Sequence, residues 1–560
     1  MPAWHCMRRI SLVPMFAERE RSSDSSSSAN DSIQQTADLA SPGTDVPAFY
    51  MLLALLGVFA WRIWFTGHVN LIADECSYWT WSRTLDWSYF DNSGMVAYLI
   101  RMSTCLFNES TPFTVRFPFL ILSGLTTFLI YRVCALLFKN QSQALLSAVA
   151  LNLTPVALLG GSAAIHDNVL LFSWVLALWA AARFVVSGQG KWFYVMGIAV
   201  GLAIQSKYTG ILALPVLFIF LLWCSPYRSW LLRKEPWLGV VIALVFTLPI
   251  IWWNWRHEWA SFYHILFIGS GSESLGKRIT DGFGYHLAQL LLVSPLAYVA
   301  LLVGSAAALG KNIVRPEPRE VTLLCFGLPL VFFGVQAFYG HVEANWAFIG
   351  YASTAILAVH VIAIRRAQGS SGIWKLFGGR FVKWALILAM GPVLVAVVHA
   401  WIGLLPAWVE KRIAKEDRII WETRGWAGLG KHVGNLAKPD DVIAADSYQL
   451  CALLEFNVPG QPQVRYLAPW KRPTQFDVRE PSFDNLKGRN ILFVSPSPLQ
   501  PSSEHLKTIY ENFSHVEPLI SYDIKYHGET IRSIHIYRGQ AFDPFQPRRL
   551  GPRSLLYKDY

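Results

Sequence analysis

Asp74 and Glu75 stand side by side after the first long apolar run, among Tyr78, Trp79, Trp81, Trp87, Tyr89 and Tyr98. A carboxylate there can take the proton of an acceptor hydroxyl while that oxygen attacks a sugar's anomeric carbon. No covalent intermediate is needed when the sugar already carries a phosphate leaving group. The dipeptide alone does not choose this role, since two loop acids can equally be solvated or cap a helix. If Asp74 is a base, its rate should fall as acid protonates it. Lys207 ends an apolar run, where an ammonium can meet a phosphate or simply snorkel to the interface. Arg83, Arg101, Arg116, Arg256 and His257 are further cationic candidates, and Asn345 with Trp346 could touch sugar, lipid or neighbouring protein. His166 and Asp167 offer nitrogen and oxygen ligands that could help hold a divalent ion, although the ligands are scattered along the chain.

The elements that must position these groups are membrane spans. Of 560 residues, 53% are hydrophobic and only 15% charged, against about 25% in soluble domains. The 24 Trp and 34 Phe suit long membrane interfaces. The net charge of +11 is concentrated in short loops, which argues against a nucleic-acid partner. Seven cysteines carry no CxxC or metal-finger spacing; most read as small buried hydrophobes, and Cys76 with Cys105 could form a disulfide in one outer loop.

Apolar runs predict about eleven spans, near 47–65, 113–138, 142–160, 167–187, 192–206, 208–224, 236–253, 283–309, 321–339, 345–364 and 381–404. Arg132 and Lys139, Arg183 and Lys191, Arg228 to Lys234, Lys311 to Arg319, and Arg365 to Lys383 fall in alternate connections. That asymmetry predicts a cytoplasmic N-terminus, and an odd span count then puts the C-terminal region outside. Four regions follow: a disordered tail over 1–45, a membrane domain over 46–404, an extracytoplasmic α/β domain over 405–545 and a tail over 546–560. Strands are expected at 441–445, 490–494 and 533–537, with a helix over 448–456. The outer loop of about 66–112 is too long for a connector and should form short interfacial helices. The fold class is thus a mostly α-helical polytopic membrane protein with a C-terminal α/β domain.

The stretch from Leu71 to Arg101 resembles the first loop of the bacterial relatives of protein O-mannosyltransferases, including the aminoarabinose transferases of lipid A, in the C superfamily of glycosyltransferases. Ser77-Tyr78-Trp79 and Tyr89-Phe90-Asp91-Asn92-Ser93-Gly94-Met95-Val96-Ala97-Tyr98 fill the family's aromatic slots after the acidic pair. Val115-Arg116-Phe117-Pro118, the run Gly201 to Tyr208, His257 to Phe262, Asn345-Trp346, Ala445 to Gln449 and Pro459 to Pro462 are similar to later signatures in the same order. The resemblance implies Asp74 as catalytic base, Glu75 as supporting acid, and single displacement with inversion. It also implies a substrate site drawn from Lys207, Tyr208, Arg83, Arg101, Arg116, His257, Asn345 and Asp91. Asn92-Ser93-Gly94 replaces the family's His-Pro-Pro, which removes a titratable group and loosens the loop. His166 replaces a Pro before Asp167.

The expected activity is transfer of a sugar from a polyprenyl phosphate to a lipid or glycan acceptor, with protein Ser/Thr less favoured. A transporter or flippase of lipid-linked sugars would instead show ionisable residues at mid-span and internal two-fold symmetry. A non-catalytic homologue that binds lipid-linked sugar is the other alternative. The expected location is a bacterial inner membrane.

Overall fold

The computed structural model describes residues 44, 46–268, 274–369, 372–413, 418–468, 473–502 and 506–544. The tails expected over 1–45 and 546–560 lie almost wholly outside the described residues. Among those residues, eight helices are long and apolar enough to cross a bilayer, or nine if a bent pair forms one span. The elements needed below are α1 (Ala48–His68), α2 (Ala73–Arg83), α3 (Met95–Phe107), α4 (Pro112–Phe138), α5 (His166–Ser187) and α6 (Trp192–Ser206). Farther along come α7 (Phe348–Ala367), α8 (Gly379–Ile402) and α9 (Tyr448–Asn457).

Where eleven full spans were expected, several of the apolar runs are broken. The run over 142–160 splits into Gln141–Asn152 and Pro155–Gly160, because Thr154 caps the second piece and Pro155 can begin a helix but not continue one. The run over 283–309 divides into Leu275–Val293 and Pro295–Val314. Ser294 lies between them at φ 85°, outside helical geometry, and the α region is disfavoured for the residue before a proline. The run over 208–224 begins as a 3-10 turn at Tyr208–Leu212 and, after Ala213–Trp223, bends by 119° into Ser225–Leu232. With only fifteen residues, α6 is shorter than a complete span.

Close crossings rest on small residues. A Cβ on Gly197 would lie 2.3 Å from the Gly239 carbonyl oxygen, so α6 and Lys234–Val245 meet backbone to backbone. The middle of α5 is mostly enclosed, with Trp174, Leu178, Ala180 and Ala181 fully buried.

The loop over 66–112 forms two helices, as anticipated, but they differ in setting. Met102 and Leu106 of α3 stay exposed while Val96 and Ile100 are buried, an amphipathic arrangement. In contrast, α2 is roofed by the C-terminal domain: Cys76, Trp79 and Trp81 are buried, and Trp79 packs edge-on against Phe456 of α9 at 5.1 Å. One apolar core runs from Leu71 and Cys76 through Leu450 and Leu454 to Ile443 and Ile536. Cys76 and Cys105 are both free thiols, the first buried and the second exposed, so the disulfide considered above is not formed.

The C-terminal domain carries a five-stranded sheet in the order β2-β1-β3-β5-β4. In chain order the strands are β1 (Val442–Ala445), β2 (Arg465–Tyr466), β3 (Ile491–Ser495), β4 (His515–Tyr526) and β5 (Glu529–Gln540). The first three pair in parallel, and the β4–β5 hairpin adds antiparallel to β3. Crossing from β1 toward β2, α9 carries the sheet's apolar face onto α2.

Candidate active site

Asp74 and Glu75 occupy the first turn of α2, where the helix dipole favours negative charge. Consecutive helical residues point about 100° apart, and the two acids accordingly separate. Glu75 turns into the protein and is 1% exposed; Asp74 is exposed. The Glu75 carboxylate accepts from Arg116 Nε at 2.7 Å and Nη2 at 2.5 Å, from the Ala164 amide at 2.8 Å and from the Ile72 amide at 3.2 Å. Arg116 is itself fully buried and also donates to the Val69 and Asn70 carbonyls at 2.5 and 2.9 Å. Glu75 and Arg116 therefore form a closed latch tying α2 to α1 and α4, and neither faces a substrate cavity.

Asp74 lines a cavity of about 220 Å³ with Ser77, Tyr78, Trp81 and Asp91 of the 66–112 loop and Tyr448, Thr474, Gln475 and Phe476 of the C-terminal domain. Asp91 lies 3.1 Å from His264 Nε2. Burial, then the charges of Asp74, Asp91 and Asp167, push the Tyr78 phenol well above its usual range. Tyr78 thus remains a neutral O–H donor at any physiological pH. The cavity sits in the seam between loop and domain, and both contribute walls.

Behind Tyr78 lies a second polar group. Lys207 Nζ pairs with Asp167 Oδ1 at 2.9 Å and sits 5.4 Å above the Trp346 ring, while Asn345 donates to Asp167 Oδ2 at 3.2 Å. Both charged side chains keep partial exposure, 12% for Lys207 and 19% for Asp167. His166 does not share this group. Its Nδ1 lies 2.7 Å from the Ser206 carbonyl and its ring packs on Tyr78 and Trp81 at 4.5 and 5.8 Å. The metal-ligand pair considered above is thus pulled apart, with Asp167 already satisfied by an ammonium. Among the described residues no three His, Cys, Asp or Glu side chains are placed to hold a metal ion.

The remaining candidates scatter. Tyr208 bonds Ser261 at 2.9 Å and Ser88 at 3.3 Å, anchoring the loop to the membrane domain. Arg83 lies 5.0 Å over the Trp79 ring and 3.5 Å from Glu455, across the loop–domain seam. Arg101 is exposed on α3 and does not line the cavity. His257 stacks on Trp253 at 4.1 Å and bonds that residue's carbonyl, closing its own helix end. Tyr448, Thr474, Gln475 and Phe476 were not among the expected site residues. Tyr448 fell within the Ala445 to Gln449 signature, and for Thr474 to Phe476 the local signal was Thr474-x-x-Asp477, a capping box that marks a helix start, which the structure places on the cavity.

Gln475 ties domain to loop, since its Oε1 accepts from the Phe90 amide at 2.8 Å. Removing that acceptor by Gln475→Ala leaves a buried N–H unpaired, a cost of about 1–3 kcal/mol. The expected result is faster proteolysis of the 66–112 loop; protection equal to the parent would refute the tie.

Residues 91–253 match the family described as dolichyl-phosphate-mannose-protein mannosyltransferase. The lipid A galacturonosyltransferase RgtD of Rhizobium johnstonii is 27% identical over 321 residues, 57% of this chain and 66% of that protein. The undecaprenyl phosphate-α-4-amino-4-deoxy-L-arabinose arabinosyl transferase of Pectobacterium atrosepticum is 27% identical over 303 residues, 51% of this chain and 53% of that one. The chain spans about half to two thirds of the length of these relatives. The crystal structure of ArnT from Cupriavidus metallidurans bound to undecaprenyl phosphate superposes with a TM-score of 0.57 at 15% identity, over 88% of this chain and 98% of that one. This chain is thus a polytopic membrane protein, similar in sequence to bacterial lipid A glycosyltransferases over about half its length and similar in fold to ArnT.

Proposed function

We propose that the protein transfers a sugar from a polyprenyl phosphate to a lipid A or other envelope glycan acceptor, with Asp74 as general base. The observation that carries this reading is Asp74 itself, exposed in a cavity walled by aromatic rings, hydroxyls and the Gln475 amide while its neighbour Glu75 is locked away. Aromatic faces, hydroxyls and side-chain amides are groups that hold a sugar ring. The relatives' substrates support the same chemistry.

In the reaction, an acceptor hydroxyl gives its proton to Asp74 as its oxygen bonds to C1. The bond from C1 to the phosphate oxygen breaks on the opposite face, so the configuration inverts. Polyprenyl phosphate departs with the bond's electron pair. Lys207, paired with the Asp167 whose charge acts on Tyr78, would meet that growing charge by exchanging Asp167 for phosphate. Tyr78 donates its phenolic proton within the cavity, and Gln475 with Thr474 contacts the sugar. The roof over α2 excludes water and so limits hydrolysis of the donor.

We place the cavity on the extracytoplasmic side and the N-terminus in the cytoplasm. The Lys and Arg of the alternate loops support this orientation, by the positive-inside rule.

The direct test uses purified protein in liposomes, undecaprenyl phosphate linked to aminoarabinose or galacturonic acid, and lipid A as acceptor. Mass spectrometry should show one added glycosyl mass and released undecaprenyl phosphate. Binding of the donors without transfer to any acceptor in a panel of lipid A, glycans and Ser/Thr peptides would overturn the enzymatic reading.

A further inference from the structure

Arg62 is a cation inside a membrane span. It stands six residues before the end of α1, about 9 Å along the axis at 1.5 Å per residue, and is 2% exposed. Its Nη1 donates to the Asn152 side-chain oxygen at 2.8 Å and its Nη2 to the Ala157 carbonyl at 2.9 Å. Both acceptors are neutral. Its Nε has no hydrogen-bond partner, and among the described residues no carboxylate pairs with the guanidinium. The seat is nonetheless built. Thr127 donates to the same Asn152 oxygen at 3.1 Å, and a Cβ on Gly161 would fall 2.5 Å from Nη2. A buried guanidinium is costly unless an anion compensates it, and an ionisable group within a span marks a working part.

The cavity that Arg62 lines offers one anion. It measures about 50 Å³, and its walls include Arg62, Thr127, Asn152, Asp167, Asn168 and Asn345. Among the described residues Asp167 is the one acid on that lining. At about 10–15 Å³ per water, the space holds a few waters, room for a carboxylate to turn but not for a sugar. Asp167 faces Lys207 at 2.9 Å, with Asn345 on its other oxygen at 3.2 Å. A phosphate arriving on Lys207 would leave this partly buried carboxylate without a cation, which is unfavourable. In the resting arrangement the Lys207–Asp167 pair is neutral and Arg62 stands alone. With phosphate on Lys207 and Asp167 on Arg62, both cations have a partner.

We propose that Arg62 is the second seat of the Asp167 carboxylate. When a polyprenyl phosphate takes Lys207, Asp167 turns across the cavity and accepts from the free Nε of Arg62. No covalent bond changes. Arg62 is thus a positioning residue that acts on the donor only through Asp167 and Lys207. The inference rests on the reading of Lys207 as the seat of the phosphate.

Binding of undecaprenyl phosphate to the full chain in nanodiscs, measured with thermal melting as the control for folding, tests it. Arg62→Gln should weaken binding about ten-fold, within the range of coupling between charges in one network. Arg62→Lys, which keeps the cation, should restore most of that loss. In an Asp167→Asn background, Lys207 is already released, so adding Arg62→Gln should change binding by less than about two-fold. Unchanged binding in Arg62→Gln, or an equal loss in both backgrounds, would overturn the inference. If Arg62→Gln does not fold, a structure of the parent with undecaprenyl phosphate bound decides. Asp167 at hydrogen-bond distance from Arg62 supports the exchange, and Asp167 still on Lys207 refutes it. Undecaprenyl phosphate that binds Lys207→Gln as well as the parent, or binds neither, would sink the reading of Lys207 and this inference with it. Binding that needs Lys207 without any coupling of Arg62 to Asp167 would sink this inference alone.

Discussion

Replacing Asp74 with Asn lowers transfer by about 10²- to 10⁴-fold, the usual contribution of a positioned general base, while melting and membrane insertion stay at parent values. The two halves of this expectation rest on different observations. Asp74 is exposed in the cavity, and an isosteric amide there loses proton affinity without opening the helix. Its neighbour Glu75 already satisfies the N-terminal amide of Ile72, so α2 keeps its cap. Transfer should also decline in acid, and the acid limb should disappear with the residual activity of Asp74→Asn. Transfer undiminished in Asp74→Asn would remove Asp74 as the base and direct attention to Asp91, the second carboxylate on the cavity wall.

Glu75→Gln gives the opposite pattern. With both partners at 0–1% exposure, Arg116 and Glu75 form a buried ion pair completed by backbone groups of α1's C-terminal end and of residue 164. Removing one member strands the other, at a cost of about 3–5 kcal/mol. Arg116→Met should cost a similar amount, and the double variant Glu75→Gln/Arg116→Met less than the two singles added, since no lone charge remains. Thermal melting in detergent reads all three. Any lost activity in Glu75→Gln should track the lost folded fraction. A Glu75→Gln protein that melts like the parent but has lost turnover would instead put Glu75 in the chemistry. The pair of experiments thus separates two adjacent acids that differ only in the direction their side chains leave the helix.

Much of the architecture was legible along the chain because hydrophobicity and turn chemistry are local. The helix over 448–456 appears at Tyr448–Asn457, and the expected strands lie within or beside β1, β3 and β5. Long apolar runs marked most spans. Averaging over such a run, however, passes through an internal break, and the Ser294-Pro295 kink stayed hidden inside an apolar run.

From residue order alone come a membrane-embedded chain, an acidic pair in an aromatic loop after the first span, a lysine at a span end and an α/β domain. Tertiary structure alone decided which acid meets the cavity and that Arg116 serves Glu75. It also decided that Lys207 waits beside Asp167 and that Gln475 reaches Phe90 across 385 positions. The physical reason is that a side chain's type sets the chemistry it can perform, but its pKa, partners and access depend on groups brought beside it by packing. Here those groups come from the membrane spans below α2 and from the domain folded above it.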